Sequence, residues 1–525
     1  MKKTSSRLLE RISHVRGVDY IFLAAGLITY ALVTLRTITA SSIWFDEAFS
    51  AYVTRFNYTE IARYTATDVH PPLYYWILKA WTSLFGTIEL GFRSLSLVFA
   101  LVAIVFGFLL VRRLFGRKAA WIAVLLLAFS PMLVRYGQEA RMYTMAAAIG
   151  IAATYVLSIA VESKKRRPWV IYGILVGLGM LTHYFMALVW LAHWVWRFIV
   201  TRQQGLRGKD LRKAFFTKNW IIAHSIAIGL FIWWLPFMAI QLTTIQASGF
   251  WIGSVSVDTL PGYVTNVLFY LEHGKATGWY GAAAVVVVLL LVVFGIKLYR
   301  NLNKKQQKYY LLLLTLAVVP VLILFIASLP PLKSSFVERY VMSAIIGFSL
   351  VAGVIIALGM AHLRKIWQVL AVVLVVSCMI VGVSNVYYYG NYNKNSNTLV
   401  GTRELVEGAI ARSKPGEPII AADPWIFYEA VFYDSTSHPI YFIDADTHYI
   451  YGSLDMLKYS NAHKINDLAA FAKANPIVWY IGGVQDQTIR TIPPARSSWT
   501  LLQSFSVHNP IDNNDIYKAG EFKIN

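Results

Sequence analysis

Residues Ser41–Phe56 read SSIWFDEAFSAYVTRF. Two adjacent carboxylates, Asp46 and Glu47, stand among aromatic residues just beyond an apolar run over roughly 19–40 that is long enough to cross a bilayer. The chain has only 27 acidic residues in 525. Two of them at the exit of a membrane span imply a chemical use or a solvated loop, and the rest of the sequence has to decide between these.

The surroundings are those of a membrane protein. Hydrophobic residues make up 57% of the chain and charged residues 14%, and the mean hydropathy is +0.53. Spans are predicted at roughly 19–40, 93–112, 119–134, 142–161, 169–185, 186–200, 220–240, 281–299, 309–328, 340–360 and 367–386, about eleven in all. The third is short, and the fifth and sixth run together. The net charge of +21 does not indicate nucleic acid, because its placement follows topology. Alternate loops, among them KKTSSRLLER, ESKKRRP and KLYRNLNKKQQK, hold roughly 27 of the 48 basic residues, and the opposite loops about 10. This predicts a cytoplasmic N-terminus and, with an odd number of spans, an extracytoplasmic C-terminus. The first apolar run is too long for a signal-peptide core and reads as a retained span. Cys378, the single cysteine, excludes an intramolecular disulfide.

The predicted fold is thus a polytopic α-helical membrane domain over 1–390 with a long first outer loop, 41–92, followed by a small extracytoplasmic α/β domain over 391–525. Within the loop, Pro71 and Pro72 hold His70 extended and open a helix. Leu73, Trp76, Ile77, Ala80, Trp81 and Leu84 follow at helical spacing. That helix is too short to span, and its tryptophans suit the membrane interface, so it is expected to lie flat on the outer leaflet. The outer loop at 241–280 is also long and aromatic and is placed to close over a cleft. Gly173 and Gly177, four residues apart, indicate close helix packing. After the linker YYYGNYNKNSNT, the segments EPIIAAD, HPIYFID and NPIVWYIGG read as buried strands, interleaved with helical PWIFYEAVFYDS and INDLAAFAKA. No glycine-rich phosphate loop follows the first strand, so packing or recruitment of an acceptor is expected there.

Sorted by this topology, the unusual polar residues gather on the outer face: Asp46 and Glu47, Asp68 and His70, Glu139 and Arg141, Glu338 and Arg339. The stretches WFDEAFS, DVHPPLYYWILKAW, RYGQEARMYTMAA and FVERYVMSAI, in that order, resemble the integral-membrane glycosyltransferases of the GT-C superfamily, specifically the protein O-mannosyltransferase and lipid A aminoarabinose transferase groups. The resemblance covers the first ~390 residues. It implies a GT-C-like core and an enzyme that takes a sugar from a polyprenyl-phosphate donor and places it on a protein, lipid or cell-envelope glycan acceptor outside the cytoplasm. A bacterial plasma membrane is the expected location, with membrane lipids and no nucleic acid as partners.

The residues are consistent with that chemistry. Attack of a hydroxyl on an anomeric carbon needs a carboxylate to take the proton and a cation to receive charge on the departing phosphate. By resemblance Asp46 sits at the reacting hydroxyl and is the candidate base, and Glu47 orients the site or a cation. Arg141 and Arg339 are candidates for the lipid phosphate because a guanidinium grips two oxygens and stays charged. Lys79 is a third. His70, Tyr136, Gln138, Glu139, His183, Tyr184 and Glu338 are candidates to line the pocket. Each also has a structural reading: the acids can pair with the arginines beside them, the aromatics and histidines can anchor span ends, and Ser42 or Asp46 can open a helix through DEAFSAYVTR. No His/Cys cluster has metal-ligand spacing, so no cofactor is expected and any metal would be a hard, oxygen-bound cation. Three other readings stand beside this one. A transporter would carry mid-membrane charges or repeated halves, and a receptor or assembly factor would leave the acidic first loop unexplained. A glycan ligase or polymerase would differ in using a long glycan on a pyrophosphate carrier.

Overall fold

A computed structural model of the chain describes residues 17–248, 252–271, 278–390, 393–395, 401–434, 436, 438–443, 455–458, 463–483, 499–508 and 513–524. The basic N-terminal stretch, part of the 241–280 loop and part of the predicted linker lie outside the described residues.

Among the described residues, eight helices are long and apolar enough to cross a membrane: Gly17–Leu35, Glu89–Phe115, Tyr143–Ala160, Lys218–Ile245, Gly278–Asn301, Lys304–Ile326, Glu338–Gly359 and Lys365–Tyr388. The other three predicted spans coincide with shorter helices, Arg117–Ala128, Arg167–Thr182 and Met186–Arg202. The count of eleven therefore does not follow from helix length, since 12 to 17 residues cover only about 18–26 Å at 1.5 Å each. Lys218–Ile245 is interrupted by a 3₁₀ turn at Ile232–Trp234. Pro236 accounts for it: the residue has no N–H to give to the carbonyl of Ile232. Gly173 and Gly177 do serve packing, because a Cβ at Gly173 would stand 2.3 Å from Ala223 O and one at Gly177 2.8 Å from Leu230 Cβ.

The first loop is built of three short helices, Phe45–Val53, Tyr58–Thr67 and Leu73–Phe85. The first opens at Trp44 with no side-chain cap, so neither Ser42 nor Asp46 caps it. The second has a reciprocal capping box between Asn57 and Glu60. The third begins directly after Pro72. It buries Tyr74, Tyr75, Leu78 and Thr82 against the protein and leaves the predicted apolar stripe, Leu73, Trp76, Ile77, Ala80, Trp81 and Leu84, on the more open side. That is the pattern expected of a helix whose stripe meets lipid.

Among the described residues the C-terminal part forms a six-stranded sheet of β1 (Ile419–Ala421), β2 (Ile440–Ile443), β3 (Lys464–Ile465), β4 (Ile477–Gly483), β5 (Trp499–His508) and β6 (Asp515–Ile524), in the order β3-β2-β1-β4-β6-β5. β1 pairs in parallel with β2 and β4, and β2 with β3. Helices Pro424–Tyr433 and Leu468–Ala474 stand where the helical patterns placed them. The antiparallel hairpin of β5 and β6 was not foreseen. β5 is mostly exposed, so its sequence lacks the continuous apolar run of a buried strand.

This sheet is joined to the membrane part through the first loop. The Pro424–Tyr433 helix packs on the Phe45–Val53 helix, with Tyr52 and Phe49 edge-on to Tyr428 at 4.9 and 5.9 Å. Ile43 N donates to Tyr433 Oη (2.5 Å), and Arg403 pairs with Glu89 (2.6 Å).

Candidate active site

The site is organised by the Phe45–Val53 helix, whose first turn carries Asp46 and Glu47. Adjacent helical residues diverge by about 100°, so the two carboxylates point to different surroundings.

Glu47 points inward and is fully buried. Arg93 grips it at two points, Nε to Oε1 (2.8 Å) and Nη2 to Oε2 (2.7 Å). The remaining guanidinium hydrogens go to the carbonyls of Ile38, Ser41 and Ser42 at 2.8–2.9 Å. Ala140 N donates to Glu47 Oε1 (2.8 Å). Burial opposes charge on Glu47, but the adjoining guanidinium prevails and holds the carboxyl well below its usual range. With both oxygens engaged, Glu47 anchors the loop helix to the Glu89–Phe115 helix and to the 137–142 turn. The expected role of Glu47, orienting the site or a cation, thus falls on a side chain whose oxygens are already engaged by Arg93 and Ala140.

Asp46 points the other way, its side chain 20% exposed, towards two arginines. Arg141 Nε lies 3.8 Å and Arg339 Nη2 4.0 Å from Asp46 Oδ2. Neither arginine forms an ion pair with the glutamate beside it in sequence. Glu139 pairs instead with Arg135 (3.0 Å) and Lys394 (3.8 Å), and Glu338 Oε1 accepts from Asn266 Nδ2 (3.0 Å). Arg141 is held by Asp46 O and Ser50 Oγ (3.2 Å each) and Tyr75 Oη (3.3 Å). Arg339 lies over the rings of Tyr143, Tyr340 and Trp44, 5.5–6.0 Å from their centres.

His70 joins this group through Arg141 Nη2, which donates to His70 Nε2 (3.3 Å), while His70 Nδ1 donates to Asp68 Oδ2 (3.2 Å). Burial lowers the His70 pKa and the Arg141 charge adds to that, with Asp68 opposing. The two contacts fix the neutral tautomer, with the proton on Nδ1 and Nε2 accepting from Arg141. His183 packs in the same cluster, its ring tilted against its neighbours, 6.0 Å from the centre of His70 and 5.2 Å from that of Tyr340. Tyr136 borders it edge-on to Tyr143 at 5.4 Å.

Four predicted residues are engaged away from Asp46. Lys79 Nζ donates to Thr54 O (2.8 Å) at the far end of the loop helix, where a cation satisfies a terminal carbonyl. Gln138 is buried between Thr37 Oγ1 (2.7 Å) and Val134 O (3.1 Å). Tyr184 lies between Trp234 Nε1 (2.7 Å) and Gln241 Oε1 (2.5 Å), and Gln241 in turn donates to Thr65 O (2.8 Å). Glu338 is held by Asn266, from the helix Thr259–Phe269 of the second long loop.

Arg93, Tyr143, Tyr340 and Lys394 belong to the site's framework but were not singled out from the sequence. Arg93 sits at the start of an apolar run and read as a span end. A buried arginine at a membrane boundary was the available signal. Lys394 lies in a polar stretch that read as linker, yet it is 1% exposed. Burial and the Arg135 charge depress its pKa, against the pull of Glu47 and Glu139. No group of three or more potential metal ligands occurs among the described residues.

Residues 69–235 match the family described as dolichyl-phosphate-mannose-protein mannosyltransferase. That match includes His70, Arg93, Arg141 and His183. No curated protein matches the chain in sequence. In structure the chain is similar to ArnT from Cupriavidus metallidurans. The apo state gives a TM-score of 0.62 at 14% identity, over 96% of this chain and 98% of that one. The form bound to undecaprenyl phosphate gives 0.59 at 15%, over the same shares. It is also similar to the archaeal oligosaccharyltransferase AglB from Archaeoglobus fulgidus, in complex with an inhibitory peptide and a dolichol-phosphate. There the TM-score is 0.54 at 11% identity, over 90% of this chain and 70% of that one. At such low identities the structural likeness shows a shared fold alone, and that fold agrees with the resemblance carried by the four motifs.

Proposed function

We propose that this chain, a GT-C membrane glycosyltransferase by fold and family match, moves a sugar from a polyprenyl-phosphate carrier to an acceptor hydroxyl. The observation that carries the reading is one partly open carboxylate, Asp46, with a buried guanidinium group, that of Arg141, and a partly buried one, that of Arg339, within 4.0 Å of it. The acceptor oxygen attacks the anomeric carbon as the bond to phosphate breaks, and Asp46 takes the acceptor's proton. Arg141 and Arg339 neutralise the charge that grows on the phosphate oxygens as it leaves. His70, neutral and fixed by Asp68, orients Arg141 and adds no competing charge. Glu47 and Arg93 position the helix that presents Asp46. His183, Tyr143 and Tyr340 form the aromatic wall beside the arginines, a surface suited to a sugar face.

The same reading places residues 1–390 in and at the membrane and 391–525 outside it, with the N-terminus cytoplasmic. The alternation of basic loops supports this orientation. A bacterial plasma membrane remains the proposed location, and a divalent cation is not required by the chemistry as drawn. The test is to offer the purified enzyme a panel of radiolabelled polyprenyl-phosphate sugars with protein, lipid and envelope-glycan acceptors. Transfer of one label from lipid to acceptor, abolished in Asp46→Asn, is the expected result. Retention of every label on the lipid would overturn the assignment.

A further inference from the structure

The turn over 137–142, which brings Arg141 to Asp46, is tied down by three side chains. Ser96 Oγ donates to Glu139 O (2.6 Å) and lies 3.2 Å from Arg141 O. Glu47 Oε1 accepts from Ala140 N (2.8 Å). The third is Lys394, whose Nζ donates to Gln138 O (3.4 Å) and stands 3.8 Å from Glu139 Oε2. Ser96 belongs to the Glu89–Phe115 helix and Glu47 to the first loop, whereas Lys394 comes from the stretch that follows the last long helix.

The surroundings of Lys394 are unusual for a lysine. It is 1% exposed, and of the three ammonium hydrogens one finds an acceptor among the described residues. A buried ammonium with so few hydrogen bonds is costly unless a charge answers it. The answering carboxylate is Glu139, which makes no hydrogen bond among the described residues and is held as an ion pair by Lys394 and by Arg135 (3.0 Å). The backbone fixes Lys394 in this place. Its N–H donates to Val386 O (2.8 Å) and that of Asn395 to Tyr387 O (3.1 Å), which folds the chain back onto the end of the Lys365–Tyr388 helix.

We propose that Lys394 is a positioning residue for the donor phosphate: its charge fixes the 137–142 turn, and the turn sets the guanidinium of Arg141. The inference rests on the reading of Arg141 as the partner of that phosphate.

The groups that face Lys394 give the tie a pH signature. They are Arg135 and Glu139 from the Pro131–Tyr136 helix and the turn after it, Glu47 from the first loop and Arg93 from the Glu89–Phe115 helix. Burial and the two arginine charges press the Lys394 pKa down to about 7, against the pull of the two carboxylates. The charged tie is therefore present below that pH and is lost as pH rises through it.

The test is isothermal titration of the full chain with a polyprenyl methyl phosphate, a diester that keeps one negative charge throughout, from about pH 6 to about pH 9. In the wild type, Kd is expected to rise by about tenfold across that range as Lys394 loses its proton. His70, fixed in its neutral form, contributes nothing to the rise. Lys394→Arg keeps the charge at every pH, so it should bind tightly without pH dependence. Lys394→Met should bind weakly without it. Arg141→Ala should do the same, since the turn then presents nothing to the phosphate. Should the Lys394 variants fail to fold, Glu139→Gln answers instead: without that carboxylate Lys394 gives up its proton more readily, and the rise moves to lower pH. A flat wild-type profile overturns the inference. So does a rise that persists in folded Lys394→Arg, Lys394→Met or Arg141→Ala, or one that Glu139→Gln leaves in place. Transfer is assayed separately with the radiolabelled donors. Enzyme that binds the diester with this pH profile yet transfers no label would overturn the transferase reading and uphold the role of Lys394.

Discussion

Asp46 and Glu47 are neighbours with opposite surroundings, and their substitutions should separate cleanly. Asp46→Asn keeps the size and removes the proposed proton acceptor, so turnover should fall by about 10²–10⁴-fold with the thermal transition unchanged. Activity within tenfold of wild type would show that another group takes the proton. Arg141→Lys replaces a two-point grip by a point charge and should raise the apparent Michaelis constant for donor, or lower turnover if the contact tightens only as phosphate departs. Donor titrations at fixed acceptor read this directly. The ion pair between Glu47 and Arg93 has a pH signature as well. A carboxyl held below its unfolded value contributes stability that is present above that value, ~4.3, and is lost as pH falls through the folded value. The tie should therefore survive mild acid, and thermal melts between pH 7 and pH 5 should show no loss assignable to it.

The Phe45–Val53 helix has nine residues and a polar Arg93 anchor behind it, and it depends on what packs around it. Arg93→Ala leaves Glu47 charged and buried without its partner, so a loss of about 3–5 kcal/mol is expected, together with loss of transfer. Arg93→Lys should recover little of either, since all five hydrogens of the guanidinium are in use. On the other side of the helix stands Tyr428, with Phe45, Phe49 and Tyr52 within 6.1 Å. Its hydroxyl has no hydrogen-bond partner among the described residues. Tyr428→Phe should therefore be nearly silent, whereas Tyr428→Ala should cost about 3 kcal/mol or more and lower turnover by loosening the helix that carries Asp46. Thermal shifts of the two variants, compared with their activities, distinguish a packing role from a polar one.

At the scale of the whole molecule, the C-terminal sheet and the first loop form one packed unit, so both must lie on the same side of the membrane. With Cys378 replaced, Lys414→Cys in the sheet domain should react with an impermeant thiol reagent in intact cells, and Lys165→Cys in the KKRR loop should not; both positions are exposed. The reverse pattern would invert the proposed orientation and move the chemistry to the cytoplasm. The eight long helices set the membrane part. The short helices Arg167–Thr182 and Met186–Arg202 meet at His183 to Phe185, where the turn itself enters the aromatic wall of the cleft.

Local chemistry was enough to indicate the membrane class, the helix after Pro72, the interleaved strands of the outer domain and the gathering of Asp46, His70, Arg141, His183 and Arg339. Apolar runs, proline, alternation and charge each act over a few residues, and their effects are written in the order of the chain. Partner choice was not, because it is settled between segments distant in sequence. RYGQEAR suggests a Glu139–Arg141 pair, and in the fold Glu139 turns to Arg135 and Lys394 while Arg141 turns to Asp46. Lys79 reads as a free cation and is taken by a carbonyl 25 residues earlier. Glu47 reads as a group that orients the site or a cation, and in the fold Arg93, 46 residues further on, grips it at two points. A buried charge must find its complement wherever the packing brings one, and tertiary structure alone decides which acid is tied down and which is left facing the cleft.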